Sequence, residues 1–205
     1  MIVLPTEGAA LYVTVDGRLD PSHCWDPARP TAILSGAFNP LHDGHRGLAD
    51  VAGRLLGLAV AFELSVANVD KPPLAEAEVR RRLAPFVEQA PVWLSRAPRF
   101  VDKAALFPGA VFVVGADTAL RLVDTRYYDG DAAQVHNALA KIRDHRCTFL
   151  VACRVDAFGQ CVELVDVPLP SDFRSLFGAI PATVFRLDVS STQIRNRRAG
   201  SSAGA

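Results

Sequence analysis

Cysteine is scarce and unpatterned in this 205-residue chain: Cys24, Cys147, Cys153 and Cys161 form no C-x-x-C pair and have no histidine at zinc-ligand spacing. A zinc module and a disulfide scaffold are therefore not expected, and the four thiols read as reduced, in a cytosolic setting. Excess charge is missing too, since 22 Lys plus Arg balance 22 Asp plus Glu. Without a global field, any bound anion must be held by a local cluster, and neither nucleic acid nor an acidic membrane is an expected partner. Apolar runs are broken by Gly, Glu or Arg well short of the ~20 residues a bilayer span needs, and no charged stretch followed by an apolar one resembles a signal segment. A soluble, cytoplasmic protein is the expectation.

What is present is globular: 50% of residues are hydrophobic and 21% charged, which excludes disordered, collagen-like and coiled-coil chains. At roughly 150 residues per domain the length allows little more than one. Residues 1–29 alternate apolar and polar positions around Val13, Val15 and an Asp16-Gly17 turn, then break at Pro21, Pro27 and Pro30, as a hairpin and linker would. Residues 30–198 form the expected main domain. The tail at 199–205 holds only Ala, Gly and Ser and is expected to be flexible. Within the main domain, 31–35, 58–66, 92–94, 111–114, 148–152 and 183–185 read as buried strands. Between them 44–56, 74–89, 99–106, 117–123, 131–144 and 171–178 read as helices. That alternation predicts an α/β fold, a Rossmann-like doubly wound parallel sheet with flanking helices.

The densest chemistry lies where the first sheet strand gives way to a helix, in Ser35-Gly36-Ala37-Phe38-Asn39-Pro40-Leu41-His42-Asp43-Gly44-His45-Arg46. Ligands of open parallel sheets sit beyond the carboxyl ends of strands. Gly36 and Gly44 permit close backbone approach, Asp43 is placed to cap the helix, and free N–H groups at its start favour phosphate. His42 and His45, three apart, face the same space. No Gly-Lys-Ser/Thr follows, there is no G-x-G-x-x-G, and no Ser or Cys nucleophile stands beside the histidines.

The run Gly36-x-Phe38-Asn39-Pro40-x-His42-x-Gly44-His45 resembles the signature of the HxGH nucleotidyltransferase superfamily, whose nicotinamide and nicotinate mononucleotide adenylyltransferases are the nearest likeness. Val113-Val114-Gly115-Ala116-Asp117 resembles their Gly-Ala/Ser-Asp segment, and Val189-Ser190-Ser191-Thr192-Gln193-Ile194-Arg195 resembles their Ile-Ser-Ser-Thr-x-Ile-Arg motif. The resemblance implies adenylyl transfer from ATP to a mononucleotide phosphate with release of pyrophosphate, a step of NAD biosynthesis. On that likeness His42 and His45 act at the α-phosphate and bridging oxygen. Backbone groups of Gly36, Ala37, Phe38 and Gly44 cradle the phosphates, while Ser190, Ser191, Thr192 and Arg195 hold the pyrophosphate end. Gly115 and Asp117 lie along a ribose or base, and a helix cap at Asp117 is compatible with that. Mg²⁺ is expected on the phosphate oxygens, with no metal-binding side chains. Ala37 stands where many relatives carry Ser or Thr, and Tyr127 and Tyr128 where they commonly carry a stacking Trp. Lys71, after a long strand, is a candidate acceptor contact.

Other residues read more plainly. Arg80, Arg81 and Arg82 beside Glu76 and Glu78 form a salt-bridged helix face, and His136 and His145 are exposed helix positions. Ser190 and Gln193 also make a capping box, yet Arg195 in the following turn opposes the helix dipole unless an anion is bound. Cytidylyl transfer, adenylyl transfer to another phosphorylated acceptor, and a nucleotide-binding module without turnover are the alternatives. A homo-oligomer is compatible with all of them.

Overall fold

The computed structural model describes residues 3–29, 31–67, 69, 72–155 and 159–187. In chain order, β1 (Ala10–Val13) and β2 (Leu19–Asp20) precede β3 (Ala32–Gly36), α1 (Asp43–Leu56), β4 (Val60–Ser65), α2 (Glu76–Leu83) and β5 (Val92–Ser95). Then come α3 (Phe100–Leu106), β6 (Val111–Gly115), α4 (Ala116–Val123), α5 (Ala132–Asp144), β7 (Thr148–Val155), β8 (Cys161–Val162), β9 (Phe177–Ile180) and β10 (Arg186–Leu187). Parallel ladders join the central strands in the order β9-β7-β6-β3-β4-β5. The chain thus winds one way from β3 and the other way from β6. These two strands are neighbours, so the loops leaving their carboxyl ends flank the crevice at the switch point. The α/β, doubly wound expectation is met.

Both faces are covered, as a parallel sheet requires. Leu34, Phe62, Leu64, Leu48, Val79 and Phe86 pack under α1 and α2. Ile33, Phe112, Phe149, Phe107, Leu122 and Leu139 pack under α3, α4 and α5. The helices obey local rules: Leu48, Ala49, Val51 and Ala52 give α1 one buried stripe, and Gly57 ends it at φ 65. Asp131 caps α5 by accepting from Ala133 N–H at 2.8 Å.

Residues 10–20 form an antiparallel hairpin whose first strand pairs with β5, extending the sheet beyond the doubly wound part. The following segment lies across β5 and α3: His23 stacks on Tyr12 at 3.8 Å, and the Trp25 indole donates to the Pro108 carbonyl at 2.9 Å.

Three expectations change. Helix α2 stops at Leu83 instead of 89, because Pro85 supplies no N–H to continue the helical ladder; Ala84–Phe86 is a 3₁₀ turn. Ser171–Leu176 is a 3₁₀ turn and Phe177–Ile180 is a strand, where one helix over 171–178 was expected. Pairing with Phe149–Ala152, and the Phe149–Phe177 ring stack at 4.8 Å, outweigh local helical periodicity there. The strand expected at 183–185 is a turn closed by Val184 and Phe185 N–H on the Pro181 carbonyl.

The cysteine reading also needs correction. Cys153 on β7 and Cys161 on β8 are joined as a disulfide, since the antiparallel return of β8 brings their Cα atoms to 6.0 Å. Cys24 and Cys147 are free. Among the described residues no helix is long and apolar enough to cross a membrane.

Candidate active site

The loop after β3 is shaped by one aromatic ring. Phe38 is only 1% exposed, and its ring meets Phe62, Phe86 and the edge of His45 at centroid distances of 5.7, 5.1 and 5.0 Å. Its φ of 42° lies in the left-handed region, where a bulky residue stays only if its surroundings hold it. A Cβ on Gly36 would come within 2.7 Å of that ring, so glycine is what lets the ring fold beneath the strand end. Ala37 is left outermost.

Two arginines brace the loop from α2. Arg82 Nη1 donates to the Ala37 carbonyl at 2.9 Å, and Arg81 Nη2 donates to Asn39 Oδ1 at 2.5 Å. Glu78 holds both from behind, at 2.7 and 2.8 Å. The salt-bridged face expected at 80–82 is present, but two of its three arginines also reach the candidate phosphate loop. No motif spacing announces that contact, because it closes over 42 and 45 residues of chain.

Helix α1 begins at Asp43, and His42 occupies the cap position expected of Asp43. The His42 N–H donates to His45 Nδ1 at 3.3 Å, and the two rings stack at 3.8 Å. Asp43 faces outward and pairs with Arg46 at 3.1 Å. Because His45 Nδ1 accepts, its neutral ring carries the proton on Nε2, available to donate. His42 Nδ1 is buried with no hydrogen-bond partner among the described residues, and such an atom calls for a ligand or water.

Burial first, then its neighbours His42, Arg154 and Arg46, push the His45 pKa from 6.5 down to about 3. Burial, followed by Arg154, lowers that of His42 as well. Both rings are therefore neutral donors or acceptors at pH 7. Between about pH 3 and 6.5 the unfolded chain takes up a proton that folded His45 refuses, so this group withdraws stability as pH falls below 6.5. A polyphosphate anion reverses the balance by favouring the charged rings. Titration of ATP into the protein by calorimetry in buffers of different ionisation enthalpy should show proton uptake at pH 6 that shrinks by pH 8. Heats independent of buffer at pH 6 would contradict the placement of both histidines against phosphate.

Across the switch point, Gly115 precedes α4 and a Cβ there would lie 2.5 Å from Asp117 Oδ1. Gly115 thus leaves room for an exposed carboxylate in the first turn. Beside it lies a cleft of ≈ 150 Å³ lined by Pro98, Arg99, Phe100, Thr118, Arg121, Tyr127 and Tyr128, with Val69 and Leu122. Its walls come from the segments after β4 and β5, from the start of α3, and from α4 with the 3₁₀ turn Thr125–Tyr128 that follows it. Tyr128 is fixed by donation to the Leu122 carbonyl at 3.0 Å, and its burial raises the phenol pKa. Gly44 sits in the first turn of α1. Lys71, Ser190, Ser191, Thr192 and Arg195 lie outside the described residues.

Residues 33–197 match the cytidylyltransferase-like family, which is most of the chain. The chain belongs to the cytidylyltransferase-like family. It is also 29% identical over 119 residues to a protein of Schizosaccharomyces pombe named "Putative nicotinamide mononucleotide adenylyltransferase". That match takes in 52% of this chain and 47% of the relative, so the chain spans about half the length of the curated relative it matches.

Arg154 is a cation near both histidines that the sequence motifs do not single out. It lies one residue before the end of β7, in register with Leu187 of β10, and its charge acts on both histidines. A cation at the carboxyl end of an apolar run was the available signal. A larger cleft of ≈ 540 Å³ lies along the flank of α1, between Arg46, Asp50 and Arg54 and the Phe86–Ala90 segment. Neither cleft is lined by His42, His45, Gly115 or Asp117, but Thr118 on the wall of the smaller one follows Asp117 directly.

Proposed function

We propose that this protein is a nucleotidyltransferase that moves the adenylyl group of ATP onto the phosphate of nicotinamide or nicotinate mononucleotide. An acceptor phosphate oxygen attacks the α-phosphorus in line, the α–β bridging P–O bond breaks, and pyrophosphate leaves with the bridging electrons. No protein nucleophile is needed, only positioning and neutralisation of developing charge. The observation that carries the reading is the stacked, neutral histidine pair at the start of α1, with the His45 proton left on Nε2 and His42 Nδ1 buried without a partner among the described residues. His45 Nε2–H and His42 would contact the α-phosphate and bridging oxygen, with Arg154, Arg81 and Arg82 adding positive field. The free N–H groups of α1 face the phosphate chain.

Mg²⁺ belongs to this reading as a companion of the triphosphate. Among the described residues no group of three or more His, Cys, Asp or Glu gathers to hold an ion, and Mg²⁺ at such sites is held through phosphates and waters with few side chains. It would neutralise charge on the departing pyrophosphate.

The pyridine acceptor is favoured by the two-tyrosine cleft at the same edge, and by the name of the Schizosaccharomyces pombe relative. Tyr128 is tethered through its hydroxyl, which leaves Tyr127 as the ring free to stack on a heterocycle. Pyrophosphate release should be measured with Mg²⁺ and ATP or CTP against nicotinamide mononucleotide, nicotinate mononucleotide and phosphopantetheine. Release with ATP and a pyridine mononucleotide is expected, and Tyr127→Ala should raise the acceptor KM about tenfold, the equivalent of a stacking contact worth ~1.4 kcal/mol. Release with CTP or phosphopantetheine alone would move the protein to another branch of the family. ATP binding with silence across the panel would replace turnover with a sensor role.

A further inference from the structure

A charged cluster lies under the acceptor cleft, in the interior where charge is expensive. Glu63 of β4 is fully buried and Lys103 of α3 is 4% exposed. Lys103 Nζ donates to both carboxylate oxygens, at 2.9 and 2.7 Å. Ser95 Oγ donates to Oε1 and Ser35 Oγ to Oε2, each at 2.5 Å. One carboxylate therefore receives four directed hydrogen bonds, from β3, β5 and α3 at once. Pairs of this kind contribute little net stability, because desolvation of two ions offsets their attraction, and apolar replacements of similar volume often fold as well. What such a cluster supplies is fixed direction.

Two arms of the cluster, Ser95 and Lys103, lead to walls of the cleft, and the third, Ser35, leads to the nucleotide loop. Ser95 Oγ accepts from Ala97 N–H at 3.3 Å, next to Pro98 and Arg99. The single hydroxyl proton of Ser65 on β4 is shared between the carbonyls of Ala67 and Ala97, at 2.7 and 3.0 Å, linking the loop that carries Val69 to the loop that carries Pro98. Lys103 lies one turn beyond Phe100, itself a wall residue, with Nζ 5.8 Å from its ring centroid. Ser35 immediately precedes Gly36 of the nucleotide loop.

We propose that the buried Glu63–Lys103 pair, bracketed by Ser35 and Ser95, is a positioning device for the acceptor, setting the spacing between the Val69, Pro98 and Phe100 walls and registering them to the nucleotide loop. The substrate assignment rests on the adenylyl-transfer reading; the claim about the walls does not. The test is the paired variant Glu63→Leu with Lys103→Met, which removes both charges together, compared with Glu63→Gln alone, which leaves an uncompensated buried ammonium and is expected to fold poorly. The paired variant should melt within a few degrees of the natural protein, keep its ATP KM within about twofold, and raise the KM for nicotinamide mononucleotide about five- to tenfold, since small misplacements of a bound reactant are costly. Amide hydrogen exchange at Ala97, Arg99 and Phe100 should quicken in the same variant at least about tenfold. Quickened exchange in a protein whose natural form releases no pyrophosphate with any pyridine mononucleotide would remove the substrate reading and keep the positioning role. Unchanged exchange with an unchanged acceptor KM would overturn the proposal and leave the pair purely structural.

Discussion

His42→Ala and His45→Ala proteins should remain folded while losing turnover by about 10²–10⁴-fold each, as expected when a group acting on developing charge is removed. The two losses should differ in kind. His45 carries its only ring proton on Nε2, because Nδ1 is committed to the His42 N–H at 3.3 Å. Its removal deletes a donor and also frees an N–H at the start of α1, costing roughly 0.5–2 kcal/mol of helix stability. His45→Asn, whose side-chain carbonyl can still accept from that N–H, should recover the stability and little of the turnover. His42 Nδ1 is buried without a partner among the described residues, so His42→Ala removes an unsatisfied atom there and should melt no lower than the natural chain. Steady-state pyrophosphate release and thermal melts on the three proteins decide this, and near-normal turnover of both alanine variants would remove the histidines from the chemistry.

The loop carrying these histidines was legible as a strand-to-helix turn with two histidines on one face, whereas the ring beneath Gly36 and the His42 cap in place of Asp43 come from the structure. The doubly wound parallel sheet was legible as well, since apolar runs alternating with helical stretches admit few parallel arrangements. The arginines 81 and 82 were read correctly as partners of Glu78, yet their second contacts, to Asn39 and Ala37, depend on how α2 lies against the loop. Glu63 gave a signal, a carboxylate inside the apolar run Val60–Ser65, but its partner is 40 residues away on a different element. The Cys153–Cys161 pairing has the same origin, in a strand return that no spacing motif encodes. At 177–180 the sequence carries a helix-like pattern, and the unfilled edge of β7 decides otherwise.

Phe38→Ala should cost about 3–5 kcal/mol of stability, the usual loss for emptying a buried aromatic site, seen as a fall in Tm of roughly 10 °C for a chain of this size. The ring fills the space between Phe62, Phe86 and His45 and is 1% exposed, so little can collapse into the void. The same ring sets the edge against which His45 rests, so activity should fall further than the unfolded fraction explains, measured well below the melt. Comparison with Phe38→Gly separates packing from backbone. In an ordinary strand or helix glycine is worse than alanine by roughly 0.5–1 kcal/mol, but at φ 42° alanine carries a left-handed strain that glycine escapes. The glycine variant should therefore be no less stable than the alanine variant, although it empties the same cavity. If both keep the natural Tm, Phe38 is not the ring that shapes the loop. If glycine is the worse by a full kcal/mol, the left-handed turn is not where the loop stores its strain.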